Sequence, residues 1–212
     1  MTHIVLVGDS IFDNGAYVPG QPDVVRQLRS ELPPGWRATL LAVDGHVTMD
    51  VPAQLRGLPA DASHLVVSVG GNDALQQIGV FEESASSVAG AVRRLAAVVG
   101  VFDRNYRAML NAVSARDLPT ALCTIYDPRF PDPQLQTLAA AGLALFNDAI
   151  LRAAFGYGLP VLDLRLICGR AEDYANPIEP SAKGGDKIAA AIVTLLTAHD
   201  FSQTRTQVFA GR

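Results

Sequence analysis

The chain has 212 residues, of which 49% are apolar and 18% charged, the balance of one ordinary globular domain and not of a disordered polymer. Seventeen basic against twenty-one acidic side chains leave a formal charge of −4, and no Lys/Arg run interleaved with aromatics occurs, which excludes the usual nucleic-acid surface. Two cysteines, Cys123 and Cys168, are too few for a disulfide framework or a four-ligand metal site; they read as buried thiols or at most one bridge.

Taken in chain order, His3-Ile4-Val5-Leu6-Val7 is a short apolar run closed by Gly8-Asp9-Ser10, the pattern of a strand buried on both faces of a parallel sheet. Val24, Val25, Leu28 and Leu32 have helical spacing. Ala38 to Val43 reads as a second strand ending at Asp44-Gly45, and Leu65 to Val69 as a third ending at Gly70-Gly71-Asn72-Asp73. The apolar stripe from Val88 to Val113 predicts two helices divided at Gly100, since glycine weakens a helix interior by about 1 kcal/mol. Thr120 to Tyr126 is a fourth strand, Leu135 to Leu151 a helix, Pro160 to Asp163 a fifth strand, and Ile188 to Leu196 a last helix opened by Ser181 and closed near His199.

This alternation predicts an α/β three-layer sandwich with a five-stranded, doubly wound parallel sheet. One domain over residues 1–200 is expected, followed by a polar tail over 201–212. No stretch reaches ~18 uninterrupted apolar residues and no signal-peptide pattern opens the chain, so the expectation is a cytoplasmic protein without a membrane span.

Polar clusters fall at the carboxyl ends of successive strands, where open parallel sheets bind ligands. Acyl transfer needs a nucleophilic oxygen, a proton acceptor and donors for the developing oxyanion. Ser10 supplies a hydroxyl, Gly45 an unobstructed backbone N–H, and Asn72 a side-chain amide. Taken singly, each is also an ordinary turn former.

Ile4-Val5-Leu6-Val7-Gly8-Asp9-Ser10-Ile11 resembles the first block of the GDSL or SGNH hydrolases, Gly45 the second, and Val69-Gly70-Gly71-Asn72-Asp73 the third. The resemblance implies a flavodoxin-like fold and metal-free, cofactor-free hydrolysis of a small ester or thioester. It places Ser10 as nucleophile and the Ser10 N–H, Gly45 N–H and Asn72 amide as the oxyanion hole. The fourth block departs from the family. Asn176-Pro177-Ile178-Glu179-Pro180 stands where Asp-x-x-His is usual, and no histidine lies within twelve residues of Glu179.

A carboxylate can serve as general base if it reaches the hydroxyl and is partly buried. Glu179 is therefore read as the base, with Asn176 orienting it; a helix-capping or Lys183- or Lys187-paired carboxylate is the competing role. With Glu179 as the base, activity is expected to persist well below the ~6.5 at which a free imidazole protonates. His46, beside Gly45, is the rival base, whereas His3, His64 and His199 read as structural. Asp9, Asp13, Asn14, Asp73 and Tyr126, with His46, are candidate substrate contacts. The alternative from another class is a binding module that keeps the pocket without turnover. A metal-dependent phosphate-monoester hydrolase using the Asp9–Asp13 loop is a third reading. The expected partner is a small-molecule ester, and no P-loop, dinucleotide or zinc motif occurs.

Overall fold

The computed structural model describes residues 2–211. Its strands are β1 His3–Gly8, β2 Arg37–Leu40, β3 His64–Ser68, β4 Thr120–Cys123, β5 Val161–Leu162, β6 Tyr174–Asn176, β7 Glu179–Pro180 and β8 Val208–Phe209. The helices are α1 Val24–Glu31, α2 Val51–Gln54, α3 Gly71–Leu75, α4 Val88–Ser114, α5 Pro133–Tyr157, α6 Leu164–Ile167 and α7 Ala182–Ala198. Six strands form one parallel sheet in the order β2-β1-β3-β4-β5-β8, and β6 and β7 pair as a separate antiparallel hairpin.

Alternate residues of the buried strands serve opposite layers, because successive side chains point to opposite faces. Ile4 and Leu6 of β1 pack with Val24 and Leu28 of α1 and Ile188 and Ile192 of α7. Val5 and Val7 pack on the other face with Phe102, Tyr106 and Met109 of α4 and Phe146 and Ile150 of α5. The result is the expected three-layer sandwich. α5 is long and apolar enough to cross a membrane by length and composition alone, but Phe146, Ile150 and Ala153 are buried against the second layer.

Three expectations need correction. α4 runs unbroken through Gly100 for 27 residues. The glycine's propensity cost of about 1 kcal/mol is small beside the burial of Phe102, Tyr106, Met109, Leu110 and Val113 on the same helix. The sheet has six strands and not five, because Val208–Phe209 adds in parallel to β5. The segment beyond residue 200 is accordingly no free tail. Val161 N–H donates to Gln207 and Asp163 N–H to Phe209, each at 2.9 Å.

β1 lies where the chain order reverses, with β2 on one side and β3 on the other. Loops leaving neighbouring strands diverge at such a point and open a crevice at the carboxyl edge. The amino-terminal half of α4 and that of α5 project past this edge, most of their residues only partly covered. They wall the crevice on its apolar side.

Candidate active site

β1 ends at Gly8 with φ +131, and a Cβ there would fall on the Ser68 carbonyl oxygen, so only glycine lets the chain turn off the sheet here. Asp9 N–H donates to Ser68 O at 3.0 Å, and the Phe12 and Asp13 N–H groups both donate back to Asp9 O at 3.2 Å. Phe12, fully buried, anchors this turn in the core. Ser10 is thereby held at the sheet edge, where its Oγ–H donates to Glu179 Oε1 at 3.0 Å across 169 residues of sequence.

Glu179 opens β7 and is pinned from both sides. Tyr126 Oη donates to the Ile178 carbonyl at 2.7 Å, and Asn14 Nδ2 donates to the Pro180 carbonyl at 3.1 Å. Asn176 does not grip the carboxylate. Its Oδ1 accepts from Ile178 N–H at 2.9 Å, closing the hairpin turn, while Glu179 Oε2 has no hydrogen-bond partner. The expected orienting role therefore becomes a backbone one. The competing ion-pair role is absent too: Lys187 pairs with Asp173 at 2.6 Å and Lys183 with Glu172 at 3.6 Å. Only 5% exposed, Glu179 has its carboxyl pushed up to about 7, chiefly by burial, with the negative charge of Asp44 adding and the Ser10 hydroxyl opposing.

The loop after β2 carries the second cluster. His46 N–H donates to Val43 O at 3.1 Å, closing a turn whose third residue is Gly45 at φ +80, a conformation that favours glycine. That turn bond leaves the Gly45 N–H unused. Two consecutive residues of α3 hold the loop in place. Asn72 Nδ2 donates to His46 O at 3.0 Å, and Asp73 Oδ2 accepts from Thr48 N–H at 2.9 Å. The second amide hydrogen of Asn72, which lines the crevice, stays available to a substrate oxygen.

His46 is not placed to act as the base. Gln54 Oε1 accepts from Gly8 N–H, which turns the Gln54 nitrogen toward His46 Nδ1 at 2.9 Å, so that ring nitrogen is an occupied acceptor and the other carries the proton. His3 and His64 lie on β1 and β3 at the opposite sheet edge, and His199 caps α7.

The remaining expected contacts divide. Asp9 and the Tyr126 ring line the crevice. Asn14, fully buried, instead joins α1 to β7, with its Oδ1 accepting from Val24 N–H at 3.0 Å. Asp13 accepts from Asp44 N–H at 3.0 Å, and Asp73 is committed to Thr48, so both build loops. Residues that the sequence did not single out also matter. Asn147 of α5 binds both the N–H and the carbonyl of Ile125, at 2.7 and 2.8 Å, and so sets one wall of the crevice. Gln54 is the other.

Asp9 is 3% exposed and its Oδ1 accepts from Ile11 N–H at 3.2 Å. Burial pushes its carboxyl up to about 8 against that hydrogen bond, and the negative charges of Glu179 and Asp73 push the same way. A carboxyl whose folded-state value lies above its unfolded one (~3.9) binds its proton more tightly in the fold. Its stabilising contribution is complete below pH ~4 and is lost as pH rises toward 8. Asp9→Asn, permanently neutral and still able to accept from Ile11, is expected to gain stability over the wild type progressively above pH ~4, by about 1 kcal/mol at pH 5 and by several times that at pH 8. Thermal unfolding of both proteins at the two pH values checks this.

From Ser10 the crevice extends between α4 and α5 as a cleft open to solvent. Leu95, Val98 and Val99 of α4 face Leu143 and Phe146 of α5, and Ile78 and Phe81 from the segment after α3 cover it. Among the described residues, Asp9 and Glu179 are the only ionisable carboxyls lining it, and no Lys, Arg or His does. A Cβ on Gly142 would lie 3.0 Å from Phe81 Cζ, so this glycine lets the Phe81 ring rest against α5.

A serine bridged to a buried carboxylate at the switch point of a flavodoxin-like sheet, with an apolar cleft beside it, defines an esterase- or lipase-like hydrolase of SGNH architecture. The model of the GDSL-like lipase/acylhydrolase family matches residues 6–187, and the chain belongs to that family. Similar solved folds include the extracellular lipase of Streptomyces rimosus (16% identity, 94% of this chain and 100% of that one, TM-score 0.67). The lipase Lip_vut3 from goat rumen metagenome is another (20%, 90% and 95%, TM-score 0.68). Phospholipase A1 of Streptomyces albidoflavus NA297 is a third (16%, 94% and 99%, TM-score 0.64). No curated protein matches the chain by sequence.

Proposed function

We propose that this hydrolase cleaves an ester or thioester through a Ser10 acyl-enzyme, with Glu179 as its general base. The observation that carries this reading is the 3.0 Å hydrogen bond from Ser10 Oγ to the buried Glu179 Oε1. Ser10 Oγ attacks the carbonyl carbon as its proton passes to Glu179. The Ser10 and Gly45 N–H groups and the Asn72 amide receive the negative charge on the carbonyl oxygen. Neutral Glu179 then returns the proton to the departing alcohol or thiol. Water, deprotonated by the same carboxylate, attacks the acyl carbon; the bond from that carbon to Ser10 Oγ breaks, Glu179 returns the proton to Oγ, and the carboxylic acid leaves. No step calls on a metal or a cofactor.

The apolar cleft supports an uncharged aliphatic acyl group. The ionised Glu179 carboxylate, and a lining without Lys, Arg or His among the described residues, disfavour an anionic one. Each methylene transferred into such a cleft contributes about 0.8 kcal/mol, or about fourfold in kcat/KM. A series of p-nitrophenyl n-alkanoates is therefore expected to show Ser10-dependent release that rises by about that factor per methylene until the cleft is filled. Absence of release from every member, with binding retained, would overturn the reading and leave a non-catalytic ligand site.

A further inference from the structure

We infer that Gln54 is a positioning residue that sets the oxyanion loop against the nucleophile's strand. The inference deepens the reading of Ser10 as nucleophile and Gly45 as an oxyanion donor, and rests on it.

Gln54 is the last residue of α2 and 8% exposed. Its side chain runs along Gly8, beyond the last paired residues of β1 and β2, where the Gly8 carbonyl also accepts from Val43 N–H at 3.2 Å. Oε1 accepts from Gly8 N–H at 2.8 Å, and Nε2 donates to Gly8 O at 2.7 Å. The amide thus takes the part of a neighbouring strand for the Gly8 N–H and shares the Gly8 carbonyl with Val43, at the residue two before Ser10. Its orientation is chemically forced, since reversing it would set oxygen against oxygen and nitrogen against N–H.

With Nε2 so placed, its second hydrogen points to His46 Nδ1 at 2.9 Å. His46 directly follows Gly45, and its carbonyl is held from the other side by Asn72. One buried amide therefore spans the end of the nucleophile strand and the oxyanion loop, with both its N–H groups and its oxygen engaged, and it adds to the main-chain bond from Val43 N–H to the Gly8 carbonyl. Preorganised donors act because they need not move as charge develops, and a displacement of about 1 Å can cost about a hundredfold in rate. Gln54 touches no reacting atom in this arrangement; it acts through Gly8 and His46.

The test separates the loop half of this clamp from the strand half, because Gln54→Leu leaves the buried Gly8 N–H without a partner and can unfold the chain. His46→Ala leaves both bonds to Gly8 and removes only the side-chain bond from Gln54 to the loop. With a short p-nitrophenyl ester, His46→Ala is expected to lower kcat by about 10- to 100-fold with KM within about twofold of wild type. His46→Gln, whose amide oxygen can again accept from Gln54, is expected to recover most of that loss. An unchanged kcat in His46→Ala, a parallel rise in KM that accounts for the loss, or a His46→Gln as impaired as His46→Ala would overturn the inference. Ser10→Ala is assayed alongside. Turnover surviving in Ser10→Ala means that the nucleophile reading itself has failed; a dead Ser10→Ala beside an unaffected His46→Ala means that only the clamp has.

Discussion

Ser10→Ala is expected to lower kcat on an activated ester by about a million-fold, the scale on which loss of a serine nucleophile usually removes catalysis. It is also expected to abolish labelling by a fluorophosphonate, which in the wild type should give a single adduct on Ser10. The substitution removes one oxygen, with one partner, from a residue that is buried, so the fold should tolerate it. Substrate binding should survive, because the apolar cleft is untouched. KM near the wild-type value beside a vanished kcat is the expected signature, checked by steady-state kinetics and intact-protein mass. A residual rate above about one per cent would place the nucleophile elsewhere.

Glu179→Gln is the second large effect, a fall of about 10² to 10⁴ in kcat, the usual range for loss of a positioned acid–base group. The amide is nearly isosteric but cannot take the serine proton. Wild-type kcat/KM is expected to rise with pH through about 7 and level off above it, because the base must be ionised. Glu179→Gln should lose that limb. Burial thus corrects the expectation of activity well below pH 6.5. It lifts the carboxylate to where imidazole titrates unaided, so the position of the acid limb does not tell the two bases apart, whereas its loss in Glu179→Gln does.

The same charge accounting makes sense of Asn176. An imidazole base becomes a cation during attack, and a neighbouring carboxylate stabilises that cation. A carboxylate base becomes neutral instead, and a second carboxylate beside it would repel its resting anion. Asn176 keeps the hairpin turn through its Oδ1 and adds no charge. Replacement of both residues of the fourth block is physically coherent as one change.

The layers were legible because β1, β3 and β4 are continuous apolar runs, and α1 and α7 carry single apolar stripes, the latter with a recognisable cap at Ser181. Ser10, Gly45 and Asn72 were legible because each ends or follows a strand with a distinctive cluster. Glu179 was found by its place in the chain, but its distance from Ser10 and its burial depend on the hairpin, which Tyr126 and Asn14 hold from afar. Gln54 was invisible for the same reason. Nothing local separates it from a solvent-facing helix residue, and its partners lie 46 positions away at Gly8. Strand β8 was missed because two residues in a polar segment have no periodicity to read.

That last strand has a consequence for anyone handling the protein. Its main chain occupies the N–H groups of Val161 and Asp163, which would otherwise form a bare border along β5. Cutting the chain before Gln207 removes no part of the reaction centre, yet it leaves that border ready to recruit a strand from another molecule. Loss of solubility, and not loss of chemistry, is the first symptom to look for in a shortened form.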